Sequence, residues 1–271
     1  MSFKNYENVS PQVKAQIQNV IEIWKSHLGE DLIGIYLHGS IVLNCFVESG
    51  ENVKSDIDIL IITGRKIARG ERLLIARKII GVDRTPSPLE ISAVWVGDLI
   101  PWKFPALCQF HYSDSWTERY IKMLYGEINE NFIVDSDFED EDIASYVHLI
   151  NQSGICIYGK PIGETFPSVP EEDFWKSISA DIDDYDFNAY NPRYFASNIL
   201  ILARILSYKR EKKILSKYDG GLWALNNVPE RLKYIIEGSL NAWYHDNEIA
   251  NNFKQEDLDE LKKFLKGEIC S

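Results

Sequence analysis

Leu37-His38-Gly39-Ser40 is followed, after a loop, by Ser55-Asp56-Ile57-Asp58-Ile59-Leu60-Ile61-Ile62. Side chains of an extended strand alternate between faces, so Asp56 and Asp58 point one way while Ile57, Ile59 and Ile61 point the other. Two carboxylates thus share an edge of a sheet whose back is apolar. Carboxylates held this close repel unless a positive charge lies between them. Hard oxygen donors without His or Cys suit Mg²⁺ rather than zinc. Gly39-Ser40 after a strand supplies a tight turn, backbone N–H groups and a hydroxyl, a set suited to phosphate. Together these residues imply metal-assisted chemistry on a nucleotide.

Taken singly, an Asp-x-Asp pair is more often a solvated strand edge and a Gly-Ser pair more often a plain turn. Their order carries the argument. A strand, Gly-Ser, a short connection and a second strand opening on Ser-Asp-x-Asp resemble the nucleotidyltransferase superfamily that includes DNA polymerase β. The resemblance requires a third carboxylate on a neighbouring strand. Pro88-Leu89-Glu90-Ile91-Ser92-Ala93-Val94-Trp95 provides it, with Glu90, Ser92 and Val94 on one face and Leu89, Ile91 and Ala93 on the other. A Glu on an otherwise apolar strand is unusual unless paired or functional, and beside a metal-bound hydroxyl it suits a general base.

With 271 residues, 45% of them hydrophobic, the chain can bury a substantial core. A net charge of -12 argues against nucleic acid as the main partner, because phosphate backbones call for a basic surface. A cationic small substrate suits that charge better. Cys45, Cys108, Cys156 and Cys270 are scattered without a Cys-x-x-Cys spacing, so neither a zinc site nor a disulfide framework is indicated. The apolar runs are too short to span a bilayer, and Met1-Ser2-Phe3-Lys4-Asn5 leads into polar sequence rather than a signal peptide. A cytoplasmic protein with no membrane partner is expected.

Ser10-Pro11 is a helix start and Gly29 a stop, with Val13, Ile17, Val20, Ile21, Trp24 and Leu28 at helical spacing between them. Strands at 33–38, 57–62 and 89–95 and a helix at 71–80 follow. After Trp116 helical periods dominate: 116–125, 142–152, 173–182, 192–208, 220–226, 229–243 and 258–265. The expected architecture is an α/β N-terminal nucleotidyltransferase domain over 1–134, with a mixed sheet and helices, and an all-α helical bundle over 135–271. The acidic run 135–142 lacks the central glycine of a calcium loop and reads as a linker and helix cap. Gly154-Ile-Cys-Ile-Tyr-Gly159-Lys160-Pro161 nearly spells a phosphate-binding P-loop. It has Pro161 where that loop needs a Mg²⁺-binding hydroxyl, and its apolar interior is built for burial.

Further segments sharpen the resemblance. Pro101-Trp102-Lys103-Phe104-Pro105, Gln109-Phe110-His111-Tyr112 and Trp116 are similar to the aminoglycoside adenylyltransferases that modify streptomycin and spectinomycin. So are Asp142-Ile143-Ala144, Tyr158-Gly159, Leu200–Arg204, Ser216–Asp219 and Trp223-Ala224. The resemblance runs from about Leu32 to Trp243 and implies a site split between two domains, with ATP as co-substrate. It assigns Gly39, Ser40 and Ser55 to the triphosphate, Asp56 and Asp58 to Mg²⁺, and Glu90 to the catalytic base. It adds Arg204 and Lys217 for the triphosphate and an aromatic of Trp243-Tyr244 for adenine. Read without it, Arg204 is equally a helix-surface ion pair and Lys217 a solvated lysine outside a helix start.

For the antibiotic the resemblance implies Trp116, with Tyr185, Asp186 and Tyr194 on the later segment. The chain departs from the family here. Ile41–Cys45 replace small residues, Ser87 stands where an Arg is usual, and Tyr194 occupies an acidic position. Tyr185 and Tyr190 fall where some members recognise streptomycin, so the smaller spectinomycin fits these tyrosines better. Asp181, Asp183, Asp184 and Asp186 offer charge to a cationic acceptor. The alternatives are transfer to another small molecule or to a protein, or a binding-only ATP sensor. The presence of all three carboxylates speaks against the sensor.

Overall fold

The structure, a computed structural model, describes residues 3–48, 55–128, 132–180, 182–185, 187, 192–245 and 253–271. The chain forms two compact units, one of Phe3–Glu48 with Lys54–Ser177 and the other centred on Ile178–Ser271.

In the first unit, α1 (Pro11–Leu28) starts where the Ser10 hydroxyl accepts the Val13 N–H, and Gly29 ends it at a φ of 53°. Next come β1 (Leu32–Leu37), a single helical turn α2 (Gly39–Val42), β2 (Ile57–Thr63), α3 (Arg69–Ile80) and β3 (Leu89–Trp95). After them lie α4 (Val96–Leu99), β4 (Ala106–Cys108), β5 (Phe110–Tyr112), α5 (Thr117–Leu124), α6 (Phe132–Asp135) and β6 (Phe138–Asp140). The unit is completed by α7 (Asp142–Ser153), β7 (Ile155–Gly159), α8 (Ile162–Thr165) and most of α9 (Glu171–Ser179).

The main sheet runs β5-β3-β2-β1-β7. Among the described residues of this sheet only the β2–β3 pair is parallel, joined through α3, and the sheet is therefore mixed as expected. One face carries Ile57, Ile59, Ile61, Ile91 and Ala93 and packs in a cluster with Val13, Ile17 and Trp24 of α1 and Ile75 and Ile79 of α3. The other carries Tyr36, Leu60, Ile62 and Val94, clustered with Ile143, Val147 and Ile150 of α7. Asp58 and Glu90 share the parity of this second face.

The structure corrects two expectations. The boundary at 134/135 falls inside the first unit, because β7 closes the sheet beside β1. This half-buried edge strand, Ile-Cys-Ile-Tyr, is apolar on both faces and shows no alternation, so strand periodicity fades before the sheet ends. This strand is also the near-P-loop: Gly159 has a φ of 88°, and a Cβ on it would fall 2.1 Å from the Ile33 carbonyl oxygen. The acidic run, in turn, is clamped rather than a free linker. Arg72, buried, donates to the Ser136 carbonyl at 2.8 Å and pairs with Asp137, which Lys66 also meets at 2.7 Å.

In the second unit, α10 (Pro192–Glu211), α11 (Lys217–Leu225), α12 (Lys233–His245) and α13 (Gln255–Cys270) bury Leu200, Ala203, Leu206, Ile236, Leu261 and Leu265. Together with α5, α7 and α9 they fall on the expected helical stretches. Among the described residues no helix is long and apolar enough to cross a membrane.

Candidate active site

The parallel register of β2 and β3 sets Asp58 directly opposite Glu90. Asp56 stands just before β2 and is exposed, whereas Asp58 and Glu90 are half-buried. The β1 end meets them from the other side: the His38 N–H donates to the Asp58 carbonyl at 3.1 Å, and the Ser40 N–H reaches Asp58 Oδ2 at 3.4 Å. Gly39 has a φ of 63°, and a Cβ there would lie 1.8 Å from Asp58 Oδ2. The carboxylate therefore occupies the space a side chain would need. Ser40 Oγ is buried with no hydrogen-bond partner among the described residues, a state that is costly unless a ligand meets it.

α7 lays Tyr146 across the same face. Its hydroxyl donates to Glu90 Oε1 at 3.2 Å, and its ring stacks on His38 with centroids 4.5 Å apart. Burial, then the negative charge of Glu90, holds the Tyr146 hydroxyl well above its usual range, so it stays a donor. Burial alone pulls His38 down to about 3 and His111 down to about 4. Both rings are neutral near pH 7, and His111 Nδ1 pairs with Ser92 Oγ at 3.0 Å, on the strand that carries Glu90. The Arg84 guanidinium is held protonated chiefly by its hydrogen bond to Asp114, with Asp83 and Asp56 adding to the effect.

The remaining expected residues divide. Ser55 clasps Val47, accepting its N–H on Oγ at 2.9 Å and donating its own N–H to the Val47 carbonyl at 2.9 Å. Trp116 closes a short 3-10 turn, with the Arg119 guanidinium 5.3 Å from its ring centroid. In the second unit Lys217 opens α11, whose cap Ser216 accepts the Asp219 N–H at 3.0 Å. Lys217 Nζ donates to Ser197 Oγ at 2.9 Å and stands 4.4 Å over the Trp243 ring. Tyr244 is 2% exposed and packs edge-on against Tyr218, so of the two aromatics Trp243 is the one beside a cation. Arg204 is half-buried where α10 meets α11, and a Cβ on Gly220 would lie 2.7 Å from its Cβ. Tyr185 is half-buried, while Asp181, Asp186 and Tyr190 and the side chain of Tyr194 lie outside the described residues. Among the described residues, no three His, Cys, Asp or Glu side chains form a metal-ligand group by themselves.

Residues 164–268 match the family model described as the aminoglycoside adenylyltransferase C-terminal domain. An "Aminoglycoside (3'') (9) adenylyltransferase" of Escherichia coli is 24% identical over 277 residues, covering 97% of both chains. A "Spectinomycin 9-adenylyltransferase" of Staphylococcus aureus is 24% identical over 267 residues, covering 96% of both. The crystal structure of a spectinomycin adenyltransferase, AAD(9), from Enterococcus faecialis with ATP and spectinomycin superposes with a TM-score of 0.76 at 20% identity, over 95% of this chain and 99% of that one. Over nearly its whole length the chain is thus similar to aminoglycoside and spectinomycin adenylyltransferases, and its residues 164–268 match that family's C-terminal domain.

At this site the sequence reading missed Tyr146 and His38. Tyr146 left a signal: it follows Ile143 by one helical turn and precedes Ile150 by another, and so falls on the stripe that faces the sheet. His38 left none, because its contact with α7 spans more than a hundred residues of sequence.

Proposed function

We propose that this nucleotidyltransferase moves AMP from Mg²⁺-ATP to a hydroxyl of a cationic aminocyclitol or aminoglycoside antibiotic, and thereby confers resistance. The observation that carries the reading is the in-register pair Asp58 and Glu90, set against a turn whose Gly39 alone leaves room for the Asp58 carboxylate. The donor set fits Mg²⁺: Asp56 and Asp58 offer hard oxygens, and the unpartnered Ser40 hydroxyl lies beside them. Held by these two carboxylates, the ion would offset charge along the triphosphate.

Ser40 and the backbone of the turn grip phosphate oxygens, and Arg204 and Lys217 are assigned to the triphosphate. Trp243, rather than the buried Tyr244, is assigned to the adenine. As the acceptor oxygen bonds to the α-phosphorus, its proton passes to Glu90; the bond from that phosphorus to pyrophosphate breaks and pyrophosphate leaves. Trp116, Tyr185, Asp186 and Tyr194 are assigned to the acceptor. The net charge of -12 favours a cation there. The relatives that bear spectinomycin in their names make that drug the first acceptor to test. The test is growth of a sensitive bacterium expressing the chain on each drug. Resistance to spectinomycin is expected; resistance to neither drug, with purified protein inert towards both, would move the assignment to an unknown acceptor.

A further inference from the structure

We propose that Tyr146 is a positioning residue that fixes the plane of the Glu90 carboxylate and, by stacking on His38, keeps it in step with the Gly39-Ser40 turn. The proposal rests on Glu90 acting as the proton acceptor. Its basis is a chain of contacts through one ring. The Tyr146 hydroxyl meets Glu90 Oε1 at 3.2 Å, and the ring lies on His38 at 4.5 Å with the planes 30° apart. His38 is 4% exposed, precedes Gly39, and bonds the Asp58 carbonyl through its N–H at 3.1 Å.

The hydroxyl is delivered by a rigid element. Ile143, Val147 and Ile150 on either side of Tyr146 are each no more than 1% exposed and bury α7 against Leu60, Ile62 and Val94 of the sheet. A general base acts only from the right geometry. A donor anchored to a packed helix holds Glu90 Oε1 in one place before substrate arrives. His38 and Tyr146 also join α7 to the loop that follows β1, so the base and the phosphate turn move as one body.

Tyr146→Phe tests this, since it keeps the ring, the stack and the packing and removes only the hydroxyl. Pyrophosphate release is measured for wild type, Y146F, E90Q and the double variant, with ATP affinity by calorimetry and Tm for each. The expected result is a kcat about 10-fold lower or more in Y146F, with KM and calorimetric affinity for ATP within about two-fold of wild type. In the E90Q background the same change has no further effect, because no base remains to be oriented. A Y146F kcat within two-fold of wild type overturns the proposal, as does an equal loss in both backgrounds, which marks a structural role. E90Q turning over at the wild-type rate removes the base assignment itself, an outcome distinct from a silent Y146F beside an inactive E90Q.

Discussion

Gly39→Ala is the smallest perturbation that reaches the proposed metal-binding carboxylate. At a φ of 63° an alanine costs about 1–2 kcal/mol in backbone strain. Its Cβ would begin 1.8 Å from Asp58 Oδ2, 2.4 Å from Cγ and 2.9 Å from Cβ, whereas real contacts stay beyond 3.0 Å. The carboxylate must therefore swing away by more than an ångström and lose the Ser40 N–H at 3.4 Å. A displacement of that size in a positioned group costs about 10²-fold in rate. The fold should survive, because the strain is small against a typical stability of about 5–15 kcal/mol. Urea denaturation and steady-state pyrophosphate release on the same preparation separate the two effects. The expected outcome is a folded protein with kcat/KM down about 100-fold. Activity within three-fold of wild type in a folded G39A would show that the Asp58 carboxylate is not held where catalysis needs it.

Asp56→Asn and Asp58→Asn should each abolish turnover and leave Tm within a few degrees of wild type, since neither side chain is in the core; near-normal rates with Mg²⁺ as the sole metal would end the two-carboxylate assignment. Glu90→Gln should lose about 10²–10⁴ in rate yet retain ATP by calorimetry, and loss of ATP binding along with turnover would make Glu90 a metal ligand instead. Trp243→Ala should raise KM for ATP, whereas Tyr244→Ala, in a 2% exposed site, should chiefly lower Tm; the reverse pattern would exchange their roles. His111 is held down to about 4 in the folded chain against 6.5 in the unfolded one, so below pH 6.5 the unfolded state binds the extra proton and stability falls as the pH drops towards 4. Denaturation midpoints between pH 4.5 and 7.5 should fall less steeply in His111→Gln, and identical slopes would contradict the burial argument.

Much of the first unit was legible because its strands have two unlike faces. Ile57, Ile59 and Ile61 alternate with Asp56, Asp58 and Leu60, and that parity named both the sheet and the carboxylates. β7 escaped because its residues are apolar on both sides, and with it went the boundary between the units. The cap at Ser10 carries its own chemistry and marked a helix start locally, whereas the cap at Ser216 went unread, and it places Lys217 in the first turn of α11 rather than outside it. What stayed hidden were contacts made across long separations, such as Tyr146 on Glu90, or by a loop, such as Ser55 on Val47. Periodicity reports which face a residue takes and is silent about what it meets there.

The central claim is acceptor-dependent adenylyl transfer at the Asp58–Glu90 pair. The most direct measurement follows pyrophosphate release from Mg²⁺-ATP by wild type and Asp58→Asn with spectinomycin, streptomycin, other aminoglycosides and no acceptor, and weighs the recovered drug by mass spectrometry. The account predicts release only with an antibiotic present, a drug heavier by one adenylyl group, and neither signal from Asp58→Asn. Release that ignores the acceptor, an unmodified drug, or an active Asp58→Asn would contradict it.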